Sequence, residues 1–224
     1  MPRRYLFVLC IALIAAASAV QARSPAAAPA NSVLLIAKPA IIDPNFTHTV
    51  VLVTRTPDGG TVGVILNRPS PIPVRDVLPP ELPSGNYHDK LYLGGPVLRQ
   101  VVIALFHADR PPRAPAFHVL RNVYLSMHPD NIRMLLGKER ARYRLFLGFS
   151  GWAPEQLKAE LTAGGWYVLP AKEAILFRPD TSGMWRELID RASSPNVSGP
   201  AHAAPGAQAA ALDWALSKVI LPLR

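Results

Sequence analysis

VLLIAKPAIIDPNFTHTVVLVTRTPDGGTVGVILNRP, residues 33–69, carries the clearest secondary-structure pattern in the chain. It contains three apolar runs rich in Val, Ile and Leu, at residues 34–36, 50–53 and 62–66. Continuous β-branched runs of this length, bounded by turn residues, are typical of strands buried on both faces. The connection between the second and third runs is short, so these two strands are predicted to pair as an antiparallel hairpin.

The first 22 residues have the pattern of a signal peptide. Arg3 and Arg4 precede an apolar core at residues 5–20, and Val20-Gln21-Ala22 fits a small-residue cleavage site. The core is short for a membrane-spanning helix, so cleavage is favoured over an uncleaved inner-membrane anchor. The pattern therefore predicts a periplasmic mature protein. A cytoplasmic location, with the N-terminus misread, is the other alternative.

Charge and cysteine content argue against disulfide bonding and against nucleic-acid binding. Cys10, the only cysteine, lies in the signal segment, so the mature chain forms no disulfide. The formal net charge of +9 falls to +7 when Arg3 and Arg4 are removed. The remaining basic residues are scattered, without arginines interleaved with aromatics and without a helix-turn-helix pattern. Nucleic-acid binding is therefore not expected.

Composition divides the rest of the chain. Residues 23–31 are an Ala/Pro linker, and residues 32–191 have the patterning of one globular domain. Residues 192–211, rich in Ala, Pro, Ser and Gly, are predicted to be a flexible tail. Residues 212–224 include the spacing of a short amphipathic C-terminal helix, which either docks on a partner or membrane surface or packs back on the domain. The mature chain contains no stretch suited to crossing a membrane as a helix, and the sequence gives no oligomeric state.

Shorter patterns predict the remaining elements. Strands are expected at residues 90–95, 97–106, 117–125, 144–149, 166–169 and 174–177. A helix is expected at residues 130–137, with Ser126 as its cap. A second helix is expected to begin at Pro154, with Leu157 and Leu161 on one face. A third is expected after residue 181, capped by Thr181 or Ser182. Residues 69–83 are predicted to be a proline-rich surface loop with at most one helical turn.

Catalytic patterns are weak. Gly148-Phe149-Ser150-Gly151-Trp152 approaches a nucleophile elbow, but Trp152 stands where that turn needs glycine. His107 or His118 with Asp109 would have to complete a triad. The histidines lack metal-ligand spacing, and the glycine pairs lack the spacing of a phosphate loop. The sequence therefore predicts no catalytic residue, no metal and no cofactor, and a serine hydrolase stays a remote alternative.

Polar residues at the ends of the buried strands are the candidate ligand site. Asp43 and Asn45 follow the first apolar run, and Asn67 and Arg68 follow the third. Such strand ends often gather ligand-binding groups, and the Ser150-Gly151-Trp152 turn is expected to join them. A local interpretation stays open, in which Asp43 and Asn45 hydrogen-bond their own turn and Asn67 caps a strand end.

The motifs together resemble the bacterial YqgE/AlgH family over residues 33–190. They are, in order, LLIA (34–37), DPNF (43–46), TVVL (49–52), NRP (67–69), GGPV (94–97), His107, GFSGW (148–152), Gln156-Leu157 and Trp166. The resemblance implies an α/β (α+β) fold, a single compact domain with a mixed, barrel-like β-sheet flanked by helices. It implies no established reaction, and one branch of the family is named for a regulatory role in alginate production.

Three features depart from the family pattern: the signal peptide, Ala153-Pro154-Glu155 in place of a glycine-containing stretch, and the C-terminal tail. Sequence and resemblance together predict a non-catalytic exported domain that binds a small ligand or an envelope protein. A cytoplasmic transcriptional regulator and an unrecognised serine hydrolase are the alternatives.

Overall fold

A computed structural model describes residues 32–78, 90–138, 141–153 and 155–194. Nine strands and four α-helices lie in this part of the chain. The strands are β1 Ser32–Ala37, β2 Val50–Arg55, β3 Thr61–Ile65, β4 Leu91–Leu93, β5 Val97–His107, β6 Phe117–Leu120, β7 Val123–Ser126, β8 Tyr143–Trp152 and β9 Trp166–Pro170. The helices are α1 Pro129–Leu136, α2 Gln156–Thr162, α3 Glu173–Leu176 and α4 Met184–Ser193.

All nine strands form one mixed sheet. Its order is β6-β7-β5-β8-β3-β2-β1-β9, and β4 pairs with β8 beside this path. The β4–β8 pair is parallel, and the other named pairs are antiparallel. The sheet curls, because β2 and β6, which have four other strands between them in its order, contact each other. The single α+β domain with a barrel-like sheet is therefore confirmed.

The opening hairpin is also confirmed, with Val53 of β2 opposite Gly63 of β3. Strand β1 is buried along its whole length, and Leu34 and Leu35 point into different cores. Leu34 packs inside the curl against α3 and α4, whereas Leu35 packs on the outer face against α2. Burial on both faces explains why the run is continuously apolar instead of alternating.

Residues 117–125 form a hairpin, so the prediction of one strand was wrong. Strands β6 and β7 pair with each other and are separated only by Arg121 and Asn122. Asparagine is a common turn residue, because its backbone tolerates turn conformations and its side chain bonds locally. The alternation of apolar and polar residues is interrupted at this turn, where the chain reverses direction.

Residues 174–177 were predicted as a strand, but Glu173–Leu176 is the short helix α3. A four-residue apolar run does not distinguish a strand from one helical turn. Here the adjacent Ile175 and Leu176 are both buried in the inner core.

Three predicted helix starts differ from the structure. His128, not Ser126, caps α1, and its imidazole accepts a hydrogen bond from the Asp130 N–H. Ser126 is the last residue of β7, and its hydroxyl donates to the Pro115 carbonyl. The N-cap position of α1 is therefore filled by His128. Helix α4 is preceded by Gly183, at φ +69°, instead of by Thr181 or Ser182.

The start of α2 also shifted, since Gln156 is its first residue and Glu155 its N-cap. Leu157 and Leu161 are buried on one face of α2, as predicted. Pro154 lies outside the described residues, as do the signal peptide, the linker and residues 195–224 of the tail region. The last core helix, α4, runs to Ser193, two residues past the expected domain boundary. No helix in the described part of the chain has the length and apolar character to cross a membrane.

Candidate functional site

The site begins where two glycine-containing segments cross. After β4, the Gly94 N–H donates to the Leu147 carbonyl at 2.7 Å. The Gly94 carbonyl accepts from the Ile65 N–H at 2.9 Å and from the Ser150 hydroxyl at 3.3 Å. A Cβ atom on Gly94 would collide with the carbonyl oxygen of Gly148, which itself has a φ of +67°. The crossing therefore depends on glycine in both segments.

The Asp43–His48 turn lies beside this crossing. One Asp43 carboxylate oxygen accepts from the Asn45 backbone N–H at 2.8 Å and from its side-chain amide at 3.0 Å. This is an Asx-type turn, in which a short acidic side chain substitutes for backbone hydrogen bonding. The local interpretation of Asp43 and Asn45 is thus present in the structure.

Asn67 and Arg68 hold this turn to the sheet. The Asn67 side chain accepts from the Val50 N–H at 2.8 Å and donates to the His48 carbonyl at 2.9 Å. The Arg68 guanidinium donates to the Asn45 carbonyl at 2.8 Å, with longer contacts to the carbonyls of Pro44 and Thr47.

Burial lowers the pKa of Arg68, and the Asp43 carboxylate opposes that lowering. At neutral pH Arg68 stays charged because an arginine pKa starts far above it. Carbonyl oxygens satisfy its N–H groups without cancelling its charge, so the side chain contributes positive potential to this surface.

Arg99 completes the cluster, although the sequence did not single it out. Its guanidinium donates to the Asn45 side-chain oxygen at 3.3 Å. Strand β5 carries a bulge here, because Val97 pairs with Phe149 and the next pair is Val102 with Leu147. Bulges redirect side chains and are common next to binding sites. The signal in the sequence was the polar Arg99-Gln100 pair inside an otherwise apolar run.

The same bulge holds Leu98 in an unusual conformation. Its φ is +44°, in the left-handed region that leucine rarely adopts, and its side chain is 50% exposed. The cost of such a residue is of order 1–3 kcal/mol and has to be offset by its surroundings. Residues strained in this way cluster at binding sites, which makes this bulge a marker of function.

Asn45, Arg68 and Arg99 line one side of a cavity of about 260 Å³. The other walls come from Leu93, Leu147 and the Gly95-Pro96 segment of the glycine crossing. Two guanidinium groups and an amide facing apolar walls suit a small molecule with one oxyanion group, since arginine binds carboxylate and phosphate through paired N–H donors.

Ser150, Gly151 and Trp152 were predicted to form a turn that joins the site, but they are the last three residues of β8, paired with β3, and they do not line this cavity. Ser150 is fully buried, and its hydroxyl is bonded to Gly94. Trp152 is also buried, where its indole donates to Glu160 at 3.1 Å and its ring stacks on Phe46 at 5.9 Å between centroids. Ser150 therefore contacts the site through the glycine crossing, and Trp152 through the Asp43–His48 turn.

The structure does not assemble the imagined hydrolase triad. Ser150 is near the end of β8 that faces Val97, whereas the His107 N–H bonds to the Arg142 carbonyl at the opposite end. Ser150 lies eight positions beyond Arg142, roughly 26 Å of extended chain at about 3.3 Å per residue. His107 instead faces Asp109, with 4.0 Å between Nδ1 and Oδ1.

A broader groove of about 1320 Å³ lies elsewhere, between the loop at residues 107–115 and α1. Its charged residues are largely engaged in local structure: His128 caps α1, and Arg142 pairs with Glu173 at 2.6 Å. Within the described ranges, no three His, Cys, Asp or Glu side chains gather as metal ligands would. The smaller arginine cavity is therefore the better candidate site.

Comparison with known proteins agrees with the motifs. The family model described as AlgH-like (DUF179) matches residues 34–195. A UPF0301 protein of Thermobifida fusca is 35% identical over 167 residues, which covers 70% of this chain and 84% of that protein. A UPF0301 protein of Bacteroides thetaiotaomicron is 34% identical over 170 residues, covering 74% of this chain and 84% of its own.

Solved structures share the fold. The solution structure of the AlgH protein from Pseudomonas aeruginosa matches with a TM-score of 0.62 at 27% identity, covering 81% of this chain and 98% of that one. A crystal structure of a Corynebacterium diphtheriae protein matches with a TM-score of 0.58 at 28% identity, covering 75% of this chain and 89% of that one.

Proposed function

Since the chain belongs to the AlgH-like family, we propose that it is a non-catalytic, exported binding domain. Its ligand is a small molecule with one carboxylate or phosphate group, bound in the cavity lined by Asn45, Arg68 and Arg99. We call this cavity the Arg68–Arg99 site. The envelope location follows from the signal-peptide pattern of residues 1–22.

The observation that carries the proposal is the convergence of two arginines from different elements on one residue. Arg68 contacts the backbone of Asn45, and Arg99 contacts its side chain. Two like charges directed at the same turn repel each other, so the arrangement favours an anion that both can share. The hydrogen bonds of Asn45 set the spacing between them.

The size of the cavity limits the ligand. About 260 Å³ corresponds to the volume of roughly nine water molecules in the liquid. This is near the lower end for small-molecule sites, so a compact solute fits and a folded polymer does not. The apolar walls at Leu93 and Leu147 suit a short hydrocarbon part attached to the anionic group.

A non-catalytic role agrees with the placement of the reactive side chains. Ser150 is buried and bonded to a carbonyl, and neither a histidine nor an acidic side chain lines the described cavity walls. The cavity thus offers charge and shape but lacks a general base in its described lining.

Binding is tested with the full chain, using acetate and inorganic phosphate as probes at constant ionic strength. Chemical shifts of the backbone amides around Asn45 should change saturably with one of them. R99Q should weaken this binding about fivefold, as expected for loss of one partly exposed charged contact. R186Q, on the exposed face of α4, is the matched control and should bind like the wild type. Equal affinity in R99Q and the wild type would refute the site.

Export is tested separately by cell fractionation with intact-mass measurement. A soluble periplasmic species beginning near Arg23 supports export and cleavage. A full-length inner-membrane species means an uncleaved anchor with the domain outside. A cytoplasmic species refutes export and favours a regulatory role, without affecting the binding measurement.

A further inference from the structure

A second cavity, of about 430 Å³, lies between β8 and the segment that follows α3. It shares no lining residue with the Arg68–Arg99 site. Four basic side chains line it: Lys90, Arg142, Arg144 and Arg178. Aromatic rings of Tyr92, Tyr143 and Phe177 form much of the remaining wall.

Two of the four cations already have carboxylate partners. Arg142 pairs with Glu173 at 2.6 Å, and its guanidinium lies 4.7 Å from the centre of the Phe177 ring. Arg178 binds both carboxylate oxygens of Glu187, at 2.6 and 2.9 Å. The two-point pair of Arg178 and the single contact of Arg142 hold these arginines at the cavity edge, and each carboxylate offsets the charge of its arginine.

One further acid lies near the rim. Asp180 has a lowered pKa, first because the Ser182 hydroxyl and N–H donate to it, and then because Lys90 and Arg178 are close. Its carboxylate is directed at Ser182, to which it is bonded at 2.8 Å through each oxygen. It therefore offsets part of the rim charge and does not reach a described partner inside the cavity.

Arg144 is the exception among the four cations. Its side chain is buried, with only 7% of the residue exposed, and its Nη1 donates to the Leu176 carbonyl at 3.0 Å. The guanidinium stacks over the Tyr92 ring at 4.0 Å. Its Nη2 is buried and makes no hydrogen bond to any described residue. Burial lowers the pKa of Arg144, and the interaction with Tyr92 opposes this.

A buried charged donor without an acceptor destabilises the fold, because it has lost its hydration and gained no hydrogen bond in exchange. The Tyr92 face and one carbonyl reduce this cost without cancelling the charge. An oxyanion in the cavity that Arg144 lines would supply both the missing acceptor and the counter-charge. Few other small ligands satisfy both needs at once.

We propose that this cavity, the Arg144 site, binds a second small oxyanion, a carboxylate or a phosphate group. Arg144 supplies the buried positive charge that the oxyanion balances, and Lys90 adds positive charge at the rim. Arg142 and Arg178 keep their own carboxylates and shape the edges. The aromatic walls receive the apolar part of the ligand. This proposal does not rest on the Arg68–Arg99 site.

The test uses the full chain carrying R99Q, which weakens binding at the first site, and it reads binding only from resonances of residues that line the second cavity. Inorganic phosphate and acetate are titrated at constant ionic strength, and the Nε–H resonances of the arginines are followed by NMR. Saturable shifts of the Arg144 resonance are expected with at least one probe. A preference for phosphate indicates a phosphate monoester as ligand, and a preference for acetate indicates a carboxylate.

Two variants on the R99Q background decide the result. R144M should weaken binding at least tenfold, as expected when a charged hydrogen bond is lost. K90Q changes only an exposed rim charge and should weaken binding about twofold to fivefold, so it decides the result if R144M does not fold. R75Q, at an exposed residue of the 3-10 turn Val74–Asp76 that does not line the cavity, is the control and should bind like its parent. Absence of saturable binding in the R99Q protein, or unchanged affinity in K90Q, overturns the proposal.

Discussion

The guanidinium of Arg68 reaches back 23 residues to donate to the Asn45 carbonyl at 2.8 Å. Through this bond and those to Pro44 and Thr47, one side chain closes the turn between β1 and β2. The same side chain also supplies charge to the cavity. Arg68 therefore has both a structural role and a proposed binding role. Substitution of Arg99 tests the binding role separately.

Replacing Arg68 should destabilise the domain. R68M removes a half-buried cation that donates to backbone carbonyls, and we expect a loss of about 1–3 kcal/mol in the free energy of unfolding. Urea denaturation measures this value. R99Q removes one described hydrogen bond, to the exposed side-chain amide of Asn45. Its free energy of unfolding should stay within about 0.5 kcal/mol of the wild-type value. Equal losses in both variants would contradict the division of roles.

Asn67 should be as important for the fold as Arg68, for a different reason. N67A leaves the Val50 N–H and the His48 carbonyl without their amide partner, at an expected cost of about 1–3 kcal/mol. N67D keeps the acceptor for Val50 but places a carboxylate against the His48 carbonyl. Its stability at neutral pH, measured by urea denaturation, should fall below that of the wild type and recover partly when the carboxylate is protonated.

The glycine crossing predicts a sharp difference between two glycines. G94A places a methyl group against the Gly148 carbonyl, so backbone must shift, and we expect a loss of more than about 3 kcal/mol or failure to fold. At Gly137, after α1, the nearest atom to an added Cβ is 3.6 Å away and φ is −79°. G137A should therefore be neutral or stabilising by up to about 1 kcal/mol. Thermal denaturation of both variants makes the comparison.

Glu160 should matter because it accepts from two indoles. Its Oε2 lies 3.1 Å from Nε1 of both Trp152 and Trp166. E160A leaves two mostly buried N–H donors without this acceptor, and we expect a loss of about 2 kcal/mol together with a change in tryptophan fluorescence. E160Q retains an acceptor oxygen and should lose clearly less. A fluorescence spectrum unchanged in E160A would argue against this geometry.

The Arg178–Glu187 pair predicts a small acid sensitivity. Hydrogen bonding from Arg178 lowers the pKa of Glu187 below its ordinary value of 4.5. A carboxyl group with a lowered folded-state pKa stabilises the fold above its unfolded pKa and loses this contribution as the pH falls through the folded value. Since the Glu187 side chain is 56% exposed, the contribution should stay below about 1 kcal/mol. Comparing urea denaturation of E187Q and the wild type between neutral and acidic pH measures it.

The sequence predicted the first three strands of the sheet because continuous apolar runs rich in β-branched residues seldom form any other structure. Runs at residues 34–36, 50–53 and 62–66 are strands, and the polar residues at their ends do meet, as proposed for Asp43, Asn45, Asn67 and Arg68. The sequence did not show that Ser150 and Trp152 would face away from the cavity. That depends on which side of β8 each residue occupies after the kink at Gly148, a property of the assembled sheet.

Arg99 and Arg144 were missed for the same physical reason. Arg99 lies within an apolar run, and Arg144 ends the basic stretch at residues 138–144, so neighbouring residues in the sequence do not distinguish either one from ordinary surface charge. Their importance comes from the bulge in β5 and from the packing of Tyr92 and Leu176 around β8. Both are relationships between segments distant in sequence, which periodicity does not encode.

The bond from Ser150 to Gly94 has a consequence for the order of folding, since it joins residues 56 positions apart. The β1–β2–β3 meander is local and can form early, whereas the glycine crossing requires a long loop to close first. The wall that Gly95, Pro96 and Leu147 give to the Arg68–Arg99 site is therefore among the last parts to form. A ligand bound there would act on the completed domain, slowing its unfolding without guiding its early folding.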